Sequence, residues 1–326
     1  MSILITGAGL IGRLTARLLL EAGERVVLAD LRAPAVTDLP GPGSVTPVAC
    51  DVSDGAAIES LITAQGITRI VHTAALLSTA IRERPLDGVR VNVMGTANLL
   101  DCARRLGLKR LVLASSTTVG YNCFGSLGPE PLPEDAAMRM QSEQPASIYA
   151  VTKLTGEHLA GVYHSLYGVD AISLRYSAVL GGGLDVAPNG VPGRLMHALG
   201  SAALAGRRAR LDDPFLVWGG TEEFIDARDC AHANVCALSA PSPAQRVFNV
   251  ATGDSVSMQG FVAAMREVFP ALEVDLPPEP ATGFAGFPLR RPAPSDVRAA
   301  RDQLGFASRY SLADTLAYWC GQASSR

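Results

Sequence analysis

Tyr149 and Lys153 stand four residues apart, and Lys153 is one of only two lysines in a chain of 326 residues. On a helix, positions i and i+4 share a face, so the ammonium lies beside the phenol. A free tyrosine titrates near pH ~10, and basicity near neutral pH needs a downward shift worth ~4 kcal/mol. A cation ~4–5 Å away, at an effective dielectric of 20, supplies roughly 3–4 kcal/mol. The pair therefore suits proton exchange with a hydroxyl or carbonyl oxygen, Lys153 lowering the Tyr149 pKa and a neighbouring oxidised nicotinamide supplying the rest. The same spacing also describes an exposed tyrosine and a solvated lysine on a surface helix. The rest of the chain has to decide.

The elements around the pair alternate strand-like and helical patterns, which predicts a parallel sheet wrapped by helices. Strands are expected at 3–6, 25–30, 69–73, 110–115 and 169–176. Helices are expected at 10–21, 57–65, 91–106 and 195–205, with the Tyr149 helix running to about Tyr167. Residues 181–192 read as a long loop. The pattern then turns irregular and rich in glycine and proline, as expected of segments that cap the carboxyl ends of the strands.

Gly7-Ala8-Gly9-Leu10-Ile11-Gly12 follows the first strand and opens the first helix. In that setting Gly7 allows a tight turn, Gly9 lets backbone amides approach a pyrophosphate, and Gly12 permits close helix–strand contact. Asp30 closes the second strand, where a carboxylate accepts from both adenosine ribose hydroxyls and repels a 2′-phosphate. NAD is therefore expected over NADP. Arg32 works the other way, since a guanidinium there can stack on adenine or hold that phosphate.

Net charge is −3 and no basic run stands out, which argues against a nucleic-acid surface. No apolar run is long enough to span a membrane, and Met1 leads straight into strand-like sequence. A soluble, cytoplasmic protein is expected. Six dispersed cysteines without Cys-x-x-Cys spacing give no metal site.

Ten segments in order resemble the extended short-chain dehydrogenase/reductase family, the NAD-dependent epimerase/dehydratase type that includes UDP-galactose 4-epimerase. They are Thr6 to Gly12, Asp30, Cys50-Asp51-Val52, Val71 to Ala75, Asn92 to Thr96, Ser115 to Val119, Tyr149 to Lys153, Leu174-Arg175-Tyr176, Phe224-Ile225-Asp226 with Phe248-Asn249-Val250, and Asp296 to Gly305. The resemblance implies an α/β fold: a Rossmann-type doubly wound parallel sheet with a smaller, interleaved C-terminal substrate-binding cap. The dinucleotide-binding domain is expected to take 1–178 and 223–252, and the cap 179–222 and 253–326. It implies Tyr149 as acid/base, Lys153 also on the nicotinamide ribose, and Ser116 on the reacting oxygen. Asp51 and Val52 would contact adenine, and Thr73, Ala74 and Ala75 would line the cofactor. Relatives often dimerise through the helices carrying Asn92 and Tyr149, so a homodimer is expected.

Departures from the family pattern bear on substrate. The glycine turn is one residue shorter than usual. Thr117-Thr118 stand where dehydratases carry Asp-Glu, which disfavours dehydration. Ala178 replaces an asparagine that contacts a diphosphate, Gly193-Arg194 follow Pro192 in place of two asparagines, and Glu222-Glu223 replace an arginine. A carboxylate there would repel a diphosphate by about 1–4 kcal/mol at ~4 Å. A nucleotide sugar is therefore not expected. Arg194 and Arg291, in the cap segments, are candidates to grip a substrate anion, or else are solvated surface residues. The expected function is NAD-dependent hydride transfer on a small hydroxylated substrate: a sugar, sugar acid, lactone or alcohol. A sugar epimerase that retains its cofactor is the alternative, and a dinucleotide-sensing regulator without turnover is a second.

Overall fold

The computed structural model describes residues 2–136, 147–182 and 190–324. Its centre is a seven-stranded, wholly parallel sheet. The strands are β1 (Ser2–Thr6), β2 (Arg25–Asp30), β3 (Ser44–Ala49), β4 (Ile67–His72), β5 (Arg110–Ser116), β6 (Ala171–Tyr176) and a last strand, Val247–Val250. Their spatial order runs from Val247–Val250 through β6, β5, β4, β1 and β2 to β3. The order reverses between β1 and β4, a crevice where doubly wound sheets bind ligands.

Every residue of β1 and β6 is buried, as strands must be when helices cover both faces. One face packs Ile3, Ile5, Val26 and Leu28 under helix α1 (Leu10–Glu21) and helix Ala227–Ser239. The other packs Leu4, Val27, Ile70 and Leu111 under α2 (Gly55–Gln65) and the long helix Ile148–Tyr167. A separate cap core gathers Leu195, Leu199, Trp218, Phe224, Phe261 and Trp319. Ala300, Leu304 and Phe306 pack in the sheet core instead.

Over the first two thirds of the chain, element types match the sequence pattern closely, with differences at one helix, one strand and one loop. Helix 10–21 and strand 25–30 have the expected bounds. The expected helix 91–106 begins with the turn Pro85–Val89, passes through a π-helical turn at Arg90–Met94 and continues over Gly95–Leu106. β3 was not foreseen, because Pro47 interrupts its pattern. Pro47 sits opposite Leu28 on the outermost strand, where its missing N–H costs no ladder bond. Of the expected loop 181–192, residues 183–189 lie outside the described residues, and 190–192 already belong to helix Gly190–Leu204.

Candidate active site

Only three residues separate β1 from α1. Gly7 makes the turn at φ 93°, and a Cβ there would lie 2.5 Å from the Ala74 nitrogen. A Cβ on Gly12 would fall 1.9 Å from the Gly7 carbonyl oxygen. Both are steric requirements of the fold. Gly9 differs, since nothing lies within 4 Å of its absent Cβ. It stands at the start of α1, whose first amides receive no side-chain cap. Open donors at a helix N-terminus with room in front of them fit a pyrophosphate.

Asp30 accepts from the Ala8 amide at 2.7 Å and the Leu31 amide at 2.7 Å. It fastens the short turn while facing the same cleft. That cleft, of about 570 Å³, lies over the carboxyl ends of the strands and is lined by Gly7, Gly9, Leu10, Ile11, Gly12, Asp30, Asp51, Val52 and Thr73 to Ala75. Asp51 accepts from the Ser53 hydroxyl at 2.7 Å, which holds its carboxyl below the usual range, with help from Arg90 at 3.2 Å. Thr73 donates to the Thr6 and Gly7 carbonyls at 3.0 Å each, tying β4 to the glycine turn. Arg32 is exposed and is not among the lining residues. The glycine turn, the open helix N-terminus and the carboxylate of Asp30 fit a dinucleotide.

Ser116, Tyr149 and Lys153 line the same cleft. Ser116 ends β5 and accepts from the Thr118 hydroxyl at 3.0 Å. Tyr149 stands in the first turn of the long helix, which Ser147 caps by accepting from the Ala150 amide at 3.2 Å. Lys153 Nζ lies 5.7 Å from the Tyr149 ring centroid and donates to the Ala114 carbonyl at 2.7 Å. Burial pushes the Tyr149 phenol up to about 12, while a hydrogen bond with Ser116 pulls it down. Burial brings Lys153 down to about 8, against the pull of Glu157. Burial of the phenol thus opposes the lowering expected from Lys153. The Lys153 ammonium gives one N–H to a carbonyl, and desolvation of the phenol outweighs the pull of Ser116.

Behind the trio, Glu157 accepts from Ser115 and from Arg175 Nε at 2.9 Å and Nη2 at 2.7 Å. His72, hydrogen-bonded to Thr6 at 2.7 Å, is pushed down to about 3 by burial first and by Lys153 second, and is neutral.

The two candidate substrate arginines do not reach the cleft. Arg194 pairs with Asp213, and its neighbours Gly193 and His197 form the lining. Arg291 is buried, donating from Nε to Glu222 at 2.9 Å and lying 3.5 Å from Glu223. Glu222 and Glu223 are sealed with it: Glu222 also accepts from the Tyr121 hydroxyl at 2.9 Å, and Glu223 from the Ser295 hydroxyl at 2.6 Å. Neither carboxylate lines the cleft, so the repulsion argued from their position has no geometric basis.

Sequence reasoning did not assign three further features. Thr118 holds Ser116, although its place in the Ser-Thr-Thr string offered a signal. Asn92, inside the π-helical turn, donates to the Leu76 carbonyl at 3.0 Å and to Thr152 at 3.1 Å and accepts from the Leu76 amide at 2.8 Å. It clasps the loop after β4 to the Tyr149 helix. The aromatic lining, with Tyr121, Phe284, Phe287 and Trp319, had no sequence signal.

Comparison with known proteins places these observations. The pattern of the NAD dependent epimerase/dehydratase family matches residues 3–251. The chain is 31% identical to a UDP-glucose 4-epimerase of Mycolicibacterium smegmatis, over 97% of this chain and 96% of that protein. Its fold superposes on the L-threonine dehydrogenase of Phytophthora infestans with a TM-score of 0.78 and 26% identity, covering 100% of both chains. It also matches MoeE5 in complex with UDP-glucuronic acid and NAD, with a TM-score of 0.76 and 26% identity over 99% of each. Among the described residues no helix is long and apolar enough to cross a membrane.

Proposed function

The chain belongs to the NAD dependent epimerase/dehydratase family, and on that premise we propose that it transfers hydride between NAD and a small hydroxylated substrate, and that this is not a nucleotide sugar because Ala178 and Gly193 line the cleft where the family pattern has asparagines. One observation carries the reading: Ser116, Tyr149 and Lys153 face one cleft with the glycine turn and Asp30. Bound NAD supplies the hydride acceptor or donor. Ser116 holds the reacting oxygen, and Tyr149 takes or returns its proton. Lys153, anchored on the Ala114 carbonyl, orients the nicotinamide ribose and keeps a positive charge near the phenol. A phenol raised to about 12 needs more positive charge than Lys153 provides, and an oxidised nicotinamide brings it. Adding NAD is therefore expected to lower the Tyr149 pKa, read as a tyrosinate absorbance difference against Tyr149→Phe. No change in that titration would remove the proposed base.

NAD is favoured over NADP because Asp30 faces the cleft and Arg32 does not. Titration with both cofactors tests this, and tighter binding of NADP would refute it. The main alternative is epimerisation with the cofactor retained, which the epimerase relative favours. Steady NADH formation with a substrate supports the dehydrogenase; inversion without net NADH supports the epimerase. A sensor without turnover would keep its function in Tyr149→Phe. The exposed Ile148, Val151, Val162 and Leu166 on the long helix, with Met94 nearby in sequence to the Asn92 clasp, support a homodimer through those helices. Sedimentation of Val151→Glu as a monomer, against a wild-type dimer, is the expected result.

A further inference from the structure

This inference rests on the hydride-transfer reading and concerns what lies beside the reacting carbon. The cleft is also lined by the aromatic residues Tyr121, Phe284, Phe287 and Trp319. Tyr121 turns its hydroxyl away, into Glu222, and packs edge-on against Phe287 with centroids 4.7 Å apart. It offers the cleft a ring and no donor. Phe284 and Phe287 flank Ala285, which also lines the cleft. Ala285 has φ 56°, the one positive-φ residue other than glycine among those described. Non-glycine residues held in the left-handed region are strained, and such strain gathers where a wall must present side chains to a ligand.

Trp319 arrives from the far end of the chain, on helix Leu312–Ser324. Its indole fills the space opposite Gly200, where a Cβ would lie 2.3 Å from Cη2. Two distant segments thus agree on the seat of one ring. Among the described residues lining the cleft, Lys153 and His197 are the basic side chains, and the acids are Asp30 and Asp51, which the hydride-transfer reading gives to the dinucleotide. Lys153 is committed to Ala114, and Arg194 and Arg291 are paired elsewhere.

We infer that the substrate is an uncharged secondary alcohol, or the matching ketone, whose carbinol carbon bears an apolar group of about ring size packed against this wall. In the forward direction the carbinol C–H bond breaks and its hydride passes to NAD. The O–H proton goes to Tyr149, and a ketone, NADH and one proton are released. Burial of such a group in a preformed apolar pocket gives the selectivity, and leaving a polar or anionic group there unpaired opposes it.

The test uses the full-length protein with NAD and three probes: 1-phenylethanol, L-threonine and UDP-glucose. The expected result is a kcat/KM for 1-phenylethanol at least about 10-fold above that for L-threonine, the scale of a few methylenes in a pocket. Trp319→Ala should cut that value by about 10–100-fold, mainly through KM, with NAD affinity unchanged. Trp319→Phe guards against a folding failure. It should retain most of the activity and lose the change in tryptophan emission that 1-phenylethanol causes in the wild type. A preference for UDP-glucose or L-threonine, or an emission change that survives in Trp319→Phe, overturns the inference. If those polar probes turn over and Tyr149→Phe abolishes the turnover, the hydride-transfer site stands and only the apolar wall's role falls. If none turns over and NAD does not bind, the site itself falls.

Discussion

Two clusters of ionisable side chains, one lining the cleft and one sealed behind Tyr121, are built to opposite ends. In the cleft, Tyr149 and Lys153 are both pushed toward their neutral forms by burial, and neither neutralises the other. In the sealed cluster, Arg291 lies between Glu222 and Glu223, and its charge is matched in place. The first arrangement is unfinished without a ligand. The second carries its own opposite charges away from the cleft, although Arg291 Nη2 is left without a hydrogen-bond partner. Charged residues near a cleft therefore divide by whether their partners are already supplied, and a motif alone does not carry that information.

The largest expected effect breaks chemistry and spares the fold. Tyr149→Phe should lower kcat by roughly 10²–10⁴-fold and leave the urea midpoint nearly unchanged. An equal loss of stability would erase the contrast. The sealed cluster should do the reverse. Arg291→Met leaves two buried carboxylates without their cation, a loss of about 3–5 kcal/mol in urea unfolding, with NAD affinity retained in the protein that stays folded.

A pH measurement separates the clusters further. The Lys153 pKa falls from 10.5 to about 8 on folding, so between those values the unfolded chain holds more protons. Stability should rise with pH across that window, and Lys153→Met should flatten the rise. A slope unaltered by the substitution would mean that Lys153 is solvated. The smallest effect is on Thr118→Val, which removes the 3.0 Å bond to Ser116. A loss of about 0.5–1.5 kcal/mol is expected in kcat/KM, with NAD binding intact.

The dinucleotide half was legible because its signals are local. Gly7 and Gly12 answer to backbone geometry, Gly9 to open space before a helix, and Asp30 to the end of a strand. Tyr149 and Lys153 were legible as one helix face. The state of that pair was not, because desolvation depends on the fold around it and the Ala114 carbonyl is 39 residues from Lys153. Arg291 and Glu222 lie 69 residues apart, and nothing in either segment announces the ion pair. Trp319 comes from a helix separate from the segments that carry Phe284 and Tyr121, so their meeting in one cleft is a product of tertiary packing alone. β3 was hidden by the residue that makes it a good edge.

Pro47 on that edge has a consequence for the protein in concentrated solution. An outermost strand usually offers free amides to which a neighbour's strand can add, and a proline withholds one of them midway. At the opposite margin, the Asn249 amide is already taken by Glu134 at 2.7 Å. Stacking of one molecule's sheet onto the next is thus obstructed at both borders, which favours discrete particles over fibrous growth.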